Sequence, residues 1–123
     1  MKAILMVFLG GGLGSVLRYI ISKVLNKSAL EIPYGTLTVN VVGSLFLGLI
    51  LGISLKSGAF SNNTMLFLAT GFCGGFTTFS TFTFENQVFL RTGDYTSFAM
   101  YTLGSILAGF AAVFLGLFLS KLV

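Results

Sequence analysis

The residues from Gly71 to Glu85 carry the most unusual combination of side chains in the chain, with the sequence GFCGGFTTFSTFTFE. A glycine pair is followed by hydroxyl residues that are interleaved with phenylalanines. Hydroxyl groups both donate and accept hydrogen bonds, which suits contact with an ion or with freed backbone groups. The chain has no histidine, a single cysteine and no pairing of a nucleophile with a base. Catalytic chemistry and a zinc site of the histidine type are therefore not expected.

Composition places these residues in a lipid bilayer. Of the 123 residues, 55% are hydrophobic and only 8% are charged, and the mean hydropathy is +1.00. Soluble domains carry about 25% charged residues, so this chain has too little charge to cover a water-exposed surface. The net charge of +4 comes from basic residues that are scattered singly and form no basic stripe. We therefore expect a membrane protein with no nucleic-acid partner.

The charged residues divide the chain into four apolar segments, at about residues 3–22, 33–55, 63–90 and 95–121. A helix needs roughly 20 residues to cross about 30 Å of hydrocarbon, and each segment meets this length. The segments lack the strict alternation of barrel strands, which leaves helices as the spanning form. The connecting segments are too short to form a soluble domain. The sequence thus predicts an all-α integral membrane protein with a single domain, residues 1–123, of four transmembrane helices.

The third segment is predicted to be a helix that is broken at mid-membrane. A glycine pair followed by two threonines is a poor helix-forming sequence. Transporters and channels place ion sites at such interrupted helices. After the interruption, Phe79 and Phe82 fall at i and i+3 on one helix face, with Ser80 and Thr81 to its side. Phenylalanines at this spacing are also typical of packed cores, so packing and ligand contact both remain open.

Two polar residues lie within apolar segments. Arg18 is near the end of the first segment. It either reaches the lipid headgroups or forms an electropositive vestibule that attracts anions. Asn40 lies deeper in the second segment and cannot reach the headgroups. Its amide either links helices or faces a polar pathway.

Small and polar residues recur at every fourth position in three of the segments. The stripes are Gly10 and Gly14 in the first segment, Thr36, Asn40, Ser44, Gly48 and Gly52 in the second, and Gly104, Ala108, Ala112, Gly116 and Ser120 in the fourth. Small residues let helix backbones approach closely in lipid, so the stripes predict helix–helix packing surfaces. Packing alone accounts for most of these glycines.

The basic residues of the termini and loops are balanced across the membrane. With four spans, Lys2, Lys56 and Lys121 share one side, and Lys23, Lys27 and Arg91 share the other. Because lysine and arginine in short loops set the orientation, this chain has no strong preference. Either other signals set the orientation, or copies insert both ways up and pair antiparallel about a two-fold axis in the membrane plane.

Three motifs resemble those of one family. Residues 74–82, GGFTTFSTF, closely resemble the GGxTTFSTF signature of the Fluc (CrcB) fluoride channels. Residues 35–40, GTLTVN, resemble the GTLxVN element of that family, and residues 14–19, GSVLRY, resemble its GxxxRY element. Length, number of spans and motif order agree over essentially the whole chain, although the fourth span contributes only Tyr101 and Ser105.

The resemblance implies a passive fluoride channel with two pores in an antiparallel dual-topology homodimer, which exports cytoplasmic fluoride across the cell membrane of a prokaryote. The rings of Phe79 and Phe82 are implied to line the pores with their edges toward the ion. Asn40 is implied to donate a hydrogen bond to fluoride, and Arg18 to lie near the aqueous vestibule. The implied polar track consists of Ser80, Thr81, Tyr101 and Ser105. The backbone carbonyls of Gly74 and Thr77 from both subunits are implied to hold one structural Na⁺ at the dimer centre.

Two other functions remain as alternatives. Small multidrug exporters are also short four-helix dual-topology dimers, but they exchange protons at a carboxylate in the first helix. This chain has no acidic residue before Glu31 and carries Arg18 in its first segment. A membrane assembly subunit without transport activity accounts for the small-residue stripes but not for the hydroxyl-rich third segment. Glu85 and Asp94 are near the ends of segments and are expected at the membrane interface.

Overall fold

The computed structural model describes every residue from Met1 to Val123, and all of its regular structure is helical. The elements in chain order are α1 Lys2–Leu25, α2 Tyr34–Ser57, α3 Asn62–Met65, a π-helix Leu66–Cys73, α4 Gly74–Phe76, α5 Phe79–Thr92 and α6 Tyr95–Ser120. The elements from α3 to α5 together form the third span, Asn62–Thr92. Four helical spans are long and apolar enough to cross a membrane, which confirms the predicted fold class.

The third span is interrupted at Thr77 and Thr78, and we call these two residues the break. Their backbones are extended, with φ −85° and ψ 159° at Thr77 and φ −150° and ψ 124° at Thr78. Gly74 and Gly75 remain helical in α4, so the interruption follows the glycine pair. The Thr78 hydroxyl accepts a hydrogen bond from the backbone N–H of Thr81 at 3.3 Å and so caps α5. A threonine cap of this kind favours the start of a new helix at this point.

A π-helix of 8 residues precedes the break, and the sequence pattern did not indicate it. π-helices are rare, usually span a single turn and occur frequently at functional sites. Gly71 and Cys73 in this element are buried. The π-helix is therefore separated from the break only by the single turn of α4.

Local backbone and side-chain contacts end the helices at the short connections. α2 and α5 both end at a glycine in the left-handed conformation, Gly58 with φ 60° and Gly93 with φ 78°. Asp94 caps α6, where its carboxylate accepts a hydrogen bond from the N–H of Ser97 at 3.1 Å. Hydrogen bonds from Ser97 hold the pKa of the Asp94 carboxyl below its ordinary value. Asp94 thus lies at the end of the spans and stabilises the first turn of α6.

α1 packs closely against the third span through glycines on both sides. A Cβ atom at Gly10 or at Gly14 would overlap backbone carbonyl oxygens of the π-helix. From the opposite side, Gly71 and Gly75 lie directly against the backbone of α1. The predicted stripe of the first span is therefore confirmed as a packing surface, and it brings α1 against the residues that lead into the break.

α2 and α6 pack through the stripes of the second and fourth spans, but only over part of their length. Gly48 lies against the backbone of Val113, and Gly116 lies against the backbone of Leu45. Gly104 is different, because it is exposed and a Cβ atom there would meet no neighbouring atom within 4 Å. Within one chain, the prediction of a continuous packing ridge along the fourth span is wrong at its first turns.

A cluster of buried side chains comes from α2, α5 and α6. Val39, Phe89 and Tyr101 are each at most 2% exposed. The ring of Tyr101 packs edge-on against that of Phe89, with ring centroids 6.1 Å apart. Most other large apolar side chains are exposed, as expected of helices whose solvent is lipid. This small core fixes α5, the half of the third span that follows the break, against α2 and α6.

Replacing Gly14 with valine is expected to push α1 away from the third span, because the new side chain would overlap backbone atoms that cannot rotate aside. Overpacking of this kind costs about 1–3 kcal/mol. The thermal unfolding midpoint of the detergent-purified protein measures the loss. Gly12→Val is the matched control, since Gly12 lies on the same helix with no neighbouring atom within 4 Å of its Cβ position. An equal loss in both variants would contradict the close packing.

Candidate ion site at the break

An open groove of about 560 Å³ runs between α2, the third span and α6, beside the break. Its lining includes the predicted site residues Asn40, Gly74, Thr77, Phe79, Phe82 and Ser105. The predicted residues Arg18, Ser80, Thr81 and Tyr101 do not line it. No charged side chain contributes to the lining, whose polar groups are hydroxyls, one amide, one thiol and backbone atoms. The fold thus brings most of the predicted site residues to one uncharged groove.

Asn40 links α2 to the break. Its Oδ1 accepts a hydrogen bond from the backbone N–H of Thr78 at 2.7 Å. Its Nδ2 donates to the carbonyl oxygen of Thr78 at 3.1 Å. The side chain therefore satisfies both backbone polar groups of a residue that has left the helix. Because an amide nitrogen carries two hydrogens, one N–H of Asn40 remains free beside the groove.

The carbonyl oxygens at the end of α4 have different partners. The Gly75 oxygen accepts hydrogen bonds from Nε of Arg18 at 2.9 Å and from the hydroxyl of Ser15 at 3.4 Å. The oxygens of Gly74 and Thr77 accept no hydrogen bond within the chain, and both residues line the groove. Carbonyl oxygens without a donor are suitable ligands for a hard cation. The break therefore presents two free acceptors to the groove.

Two aromatic rings follow the break on α5. Phe79 is 76% exposed, whereas Phe82 is partly covered. Their ring centroids are 6.0 Å apart, and the rings are tilted by 40°. The ring of Phe82 also packs against that of Tyr101 at 5.2 Å and 63°, which fixes its orientation. Phe82 is thus held in place within the chain, while Phe79 has most of its surface free.

The Thr77 hydroxyl donates to the Cys73 carbonyl oxygen at 2.9 Å, and the other hydroxyl groups near the break fall into two sets. Oγ of Ser105 is buried beside the groove and has no hydrogen-bond partner, so its O–H is free to donate to a ligand. The other set lies at the start of α5. The Thr78 hydroxyl donates to the Thr81 hydroxyl at 3.2 Å and lies 3.4 Å from that of Ser80. This second set lies beside the groove and includes one member, Thr78, that lines it.

Glu85 lies among helices, and sequence reasoning missed its role. Its Oε2 accepts a hydrogen bond from the hydroxyl of Thr36 at 2.8 Å, and its Oε1 accepts one from that of Tyr101 at 3.0 Å, contacts that the expected interfacial position did not indicate. The Tyr101 proton is therefore committed to Glu85, and Tyr101 does not line the groove. The spacing offered one signal, since Glu85 follows Phe82 by three residues and so shares its helix face.

A second cavity of about 310 Å³ lies under the loop between α1 and α2. Thr81, Glu85 and Lys27 are among its lining residues. Asn26 closes it toward α2, because its Oδ1 accepts from the N–H of Gly35 at 2.7 Å. The hydroxyl of Thr81, which borders this cavity, accepts a hydrogen bond from Thr78. Hydroxyl groups thus run without interruption from the groove to the second cavity.

A family model described as CrcB-like protein, Camphor Resistance (CrcB), matches residues 5–117. The chain belongs to the CrcB family. The matched residues include the break, Asn40, Arg18 and most of all four spans. The family membership that the three motifs indicated is therefore confirmed.

Relatives of high similarity carry the name Fluoride-specific ion channel FluC. The one from Gloeothece citriformis (strain PCC 7424) is 46% identical over 122 residues, which are 98% of each chain. The one from Azobacteroides pseudotrichonymphae genomovar. CFP2 is 43% identical over 122 residues, again 98% of each chain. The one from Chlorobium chlorochromatii (strain CaD3) is 44% identical over 114 residues, 93% of this chain and 88% of the relative. Ion channels are not enzymes, and these bacterial relatives together with the four spans identify a multi-pass prokaryotic membrane protein.

Replacing Asn40 with alanine is expected to leave the N–H and the C=O of Thr78 without partners. Each unpaired buried polar group costs about 1–3 kcal/mol, so the unfolding midpoint should fall and the Thr78 amide should exchange its hydrogen faster. Thermal unfolding and hydrogen–deuterium exchange of the purified protein measure both effects. Ser44→Ala is the matched control, because Ser44 lies one turn further along α2, lines the groove and does not bond to the break. Equal behaviour of the two variants would refute the linking role of Asn40.

Proposed function

We propose that two copies of this chain form a passive channel through which fluoride leaves the cytoplasm. The observation that supports the proposal is the uncharged groove beside the break. Its lining includes Asn40 and Ser105, which have free hydrogen-bond donors, and the rings of Phe79 and Phe82. The choice of ion follows the relatives named Fluoride-specific ion channel FluC. The groove supplies a physical reason for that choice.

Fluoride is a small and strongly hydrated anion, and it enters a membrane protein only where donors replace its lost water. Ser105 offers an O–H without a partner in the chain, and Asn40 retains one N–H after its bond to Thr78. The positive edges of aromatic rings add attraction without a full charge. Conduction requires binding that is strong enough for entry and weak enough for release. A groove without a charged side chain meets the second condition.

A second copy of the chain completes the pathway in this proposal. The groove is open on one side, and its rim carries exposed apolar side chains such as Phe79 at 76%, Phe110 at 64% and Ile106 at 46%. The balance of lysine and arginine across the membrane permits either orientation in the bilayer. We propose an antiparallel dual-topology homodimer with two pores.

A sodium ion at the centre of this dimer fits the chemistry of the break. The backbone carbonyl oxygens of Gly74 and Thr77 accept no hydrogen bond within the chain, and both residues line the groove. The chain has no group of three or more His, Cys, Asp or Glu side chains that could hold a metal ion. We propose that these two carbonyls from each copy hold one Na⁺. When bound, the ion supplies positive charge near the middle of the membrane.

The hydroxyl groups at the start of α5 extend the proposed pathway. Ser80 and Thr81 are assigned to a polar track that leads from the groove toward the second cavity, since the Thr78 hydroxyl contacts the hydroxyls of both residues. Tyr101 contributes by holding Phe82 in place and by donating to Glu85. Arg18 is assigned to an electropositive vestibule in which it attracts anions.

Fluoride-electrode recording from liposomes that contain the purified protein separates the possible functions. A channel gives rapid fluoride efflux that needs no proton gradient and persists in excess chloride. A small multidrug exporter gives proton-coupled exchange of cationic drugs, and a membrane assembly subunit gives no flux. Liposomes that remain impermeable to fluoride would contradict the proposal.

Phe82→Ile is expected to slow fluoride efflux, because isoleucine fills space without presenting a positive ring edge. Loss of about 1.4 kcal/mol of ion stabilisation corresponds to a tenfold slower flux. Efflux is measured at equal amounts of protein whose assembly is checked by size-exclusion chromatography. Phe114→Ile is the control, since Phe114 is 67% exposed and does not line the groove. Unchanged efflux in Phe82→Ile would remove this ring from the pathway.

Added lysines are expected to fix the orientation of the chain and to abolish activity when all copies face the same way. One variant carries Ala29→Lys and Leu30→Lys in the loop between α1 and α2, and the other carries Ala59→Lys and Asn62→Lys at the connection between α2 and α3. All four positions are exposed. Each variant alone should give no fluoride efflux, and a mixture of the two should restore it. Full activity of either variant alone would exclude an obligatory antiparallel dimer.

A further inference from the structure

Arg18 makes a contact that an electropositive vestibule does not require. Its Nε donates to the carbonyl oxygen of Gly75 at 2.9 Å, between residues that are 57 positions apart in the chain. Gly75 lies in α4, where the first half of the third span ends. The last carbonyls of a helix have no partner within that helix, so the Arg18 side chain satisfies one of the acceptors that the break exposes.

The position of this contact follows from the close packing of α1. A Cβ atom at Gly75 would overlap the carbonyl oxygen of Gly11, so the two backbones touch at this level. Ser15 and Arg18 follow Gly11 by one and two turns, and both donate to the same Gly75 oxygen. A positive charge at the C-terminal end of a helix is also favoured by the helix dipole. α1 thus holds one side of α4.

The carbonyl groups of two neighbouring residues belong to the groove side of this segment. Gly74 and Thr77 line the groove, and their oxygens accept no hydrogen bond within the chain. The backbone from 74 to 77 is short and its residues are consecutive, so a fixed Gly75 carbonyl restricts the directions that the adjacent peptide groups can take. Arg18 therefore constrains the backbone beside the groove from the side of α1, although it does not line the groove.

We propose that Arg18 is a positioning residue whose Nε fixes the backbone at the break and keeps the Gly74 and Thr77 carbonyls available to the groove. The identity of the ion that binds these carbonyls depends on the sodium site proposed above. The contact between Arg18 and Gly75 does not depend on that ion, so the two proposals can be tested separately.

The variant Arg18→Lys separates positioning from charge. Lysine keeps the positive charge of a vestibule, but a methylene group stands where arginine has its Nε. Lys23→Gln is the matched control, because it removes a positive charge from the same helix without touching the break. Lys23 lies over the ring of Tyr19, 5.8 Å from its centroid.

Hydrogen–deuterium exchange of the full chain gives the first measurement. The backbone amides of Thr77 and Thr78 donate to the Cys73 oxygen and to Asn40, and they report whether the break is fixed. A hydrogen bond from a charged donor changes an equilibrium constant about tenfold, so Arg18→Lys should exchange these amides about tenfold faster. Lys23→Gln should leave them unchanged.

Sodium dependence of thermal stability gives the second measurement. The unfolding midpoint is followed as Na⁺ replaces N-methylglucamine at constant ionic strength. The Na⁺ concentration for half-maximal stabilisation should rise about tenfold in Arg18→Lys. A wild type without any sodium effect would contradict the sodium site but not the role of Arg18, which faster exchange in Arg18→Lys would still support.

Unchanged exchange at Thr77 and Thr78 in Arg18→Lys would overturn the positioning role, and so would an equal increase in Lys23→Gln. Where Arg18→Lys fails to fold, Ser15→Ala takes its place, since it removes the longer hydrogen bond to the Gly75 oxygen and keeps every charge. A smaller increase in exchange at the same two amides is then expected. No increase in that variant would contradict the premise of the proposal, that hydrogen bonds to the Gly75 oxygen fix the break.

Discussion

A helix that stops inside a bilayer exposes backbone groups that bulk water does not reach, and hydrocarbon offers them no partner. This chain meets the constraint at the break with side chains from two neighbouring helices. Asn40 pairs with both backbone groups of Thr78, and Arg18 pairs with the carbonyl of Gly75. Among the groups near the break without partners, the carbonyls of Gly74 and Thr77 and the hydroxyl of Ser105 belong to residues that line one groove. These three groups are therefore the ones that a ligand in the groove can use.

The two halves of the third span are held by different means. The half before the break lies against α1 through glycines, because helices in lipid associate by close backbone approach and not by burial of apolar surface. The half after the break is held by polar contacts and aromatic rings. Glu85 joins Thr36 of α2 to Tyr101 of α6, and Tyr101 in turn orients Phe82. Each half is thus held by its own contacts, and the extended residues of the break lie between the two halves.

The spans and the family could be predicted from the sequence, because both depend on local signals. Hydropathy and length give the spans, and the GGxTTFSTF signature lies within consecutive residues. The interruption was also indicated, although the glycines stay helical and the threonines form the break. For Asn40, two interpretations were open, and the structure shows that it links helices and also lines the groove.

Other features depend on contacts between distant residues and left no local signal. The π-helix has no distinctive apolar period, so its hydrogen bonding could not be predicted. The bond from Arg18 to Gly75 and the enclosure of Glu85 arise only when α1, α2 and α6 are packed around the third span. The roles of the site residues toward an ion stay predictions, since they concern a ligand and a second copy of the chain.

The most direct test of the groove as the ion pathway is to detect fluoride inside it. Solid-state NMR of the wild-type protein in liposomes, with asparagine labelled by ¹⁵N, measures transfer from the ¹⁹F nucleus of bound fluoride to amide nitrogens. A fluoride resonance distinct from that of the free ion, correlated with the side-chain nitrogen of Asn40, is the expected result. Bound fluoride that correlates only with asparagines outside the groove, such as Asn62 or Asn63, would contradict the central claim.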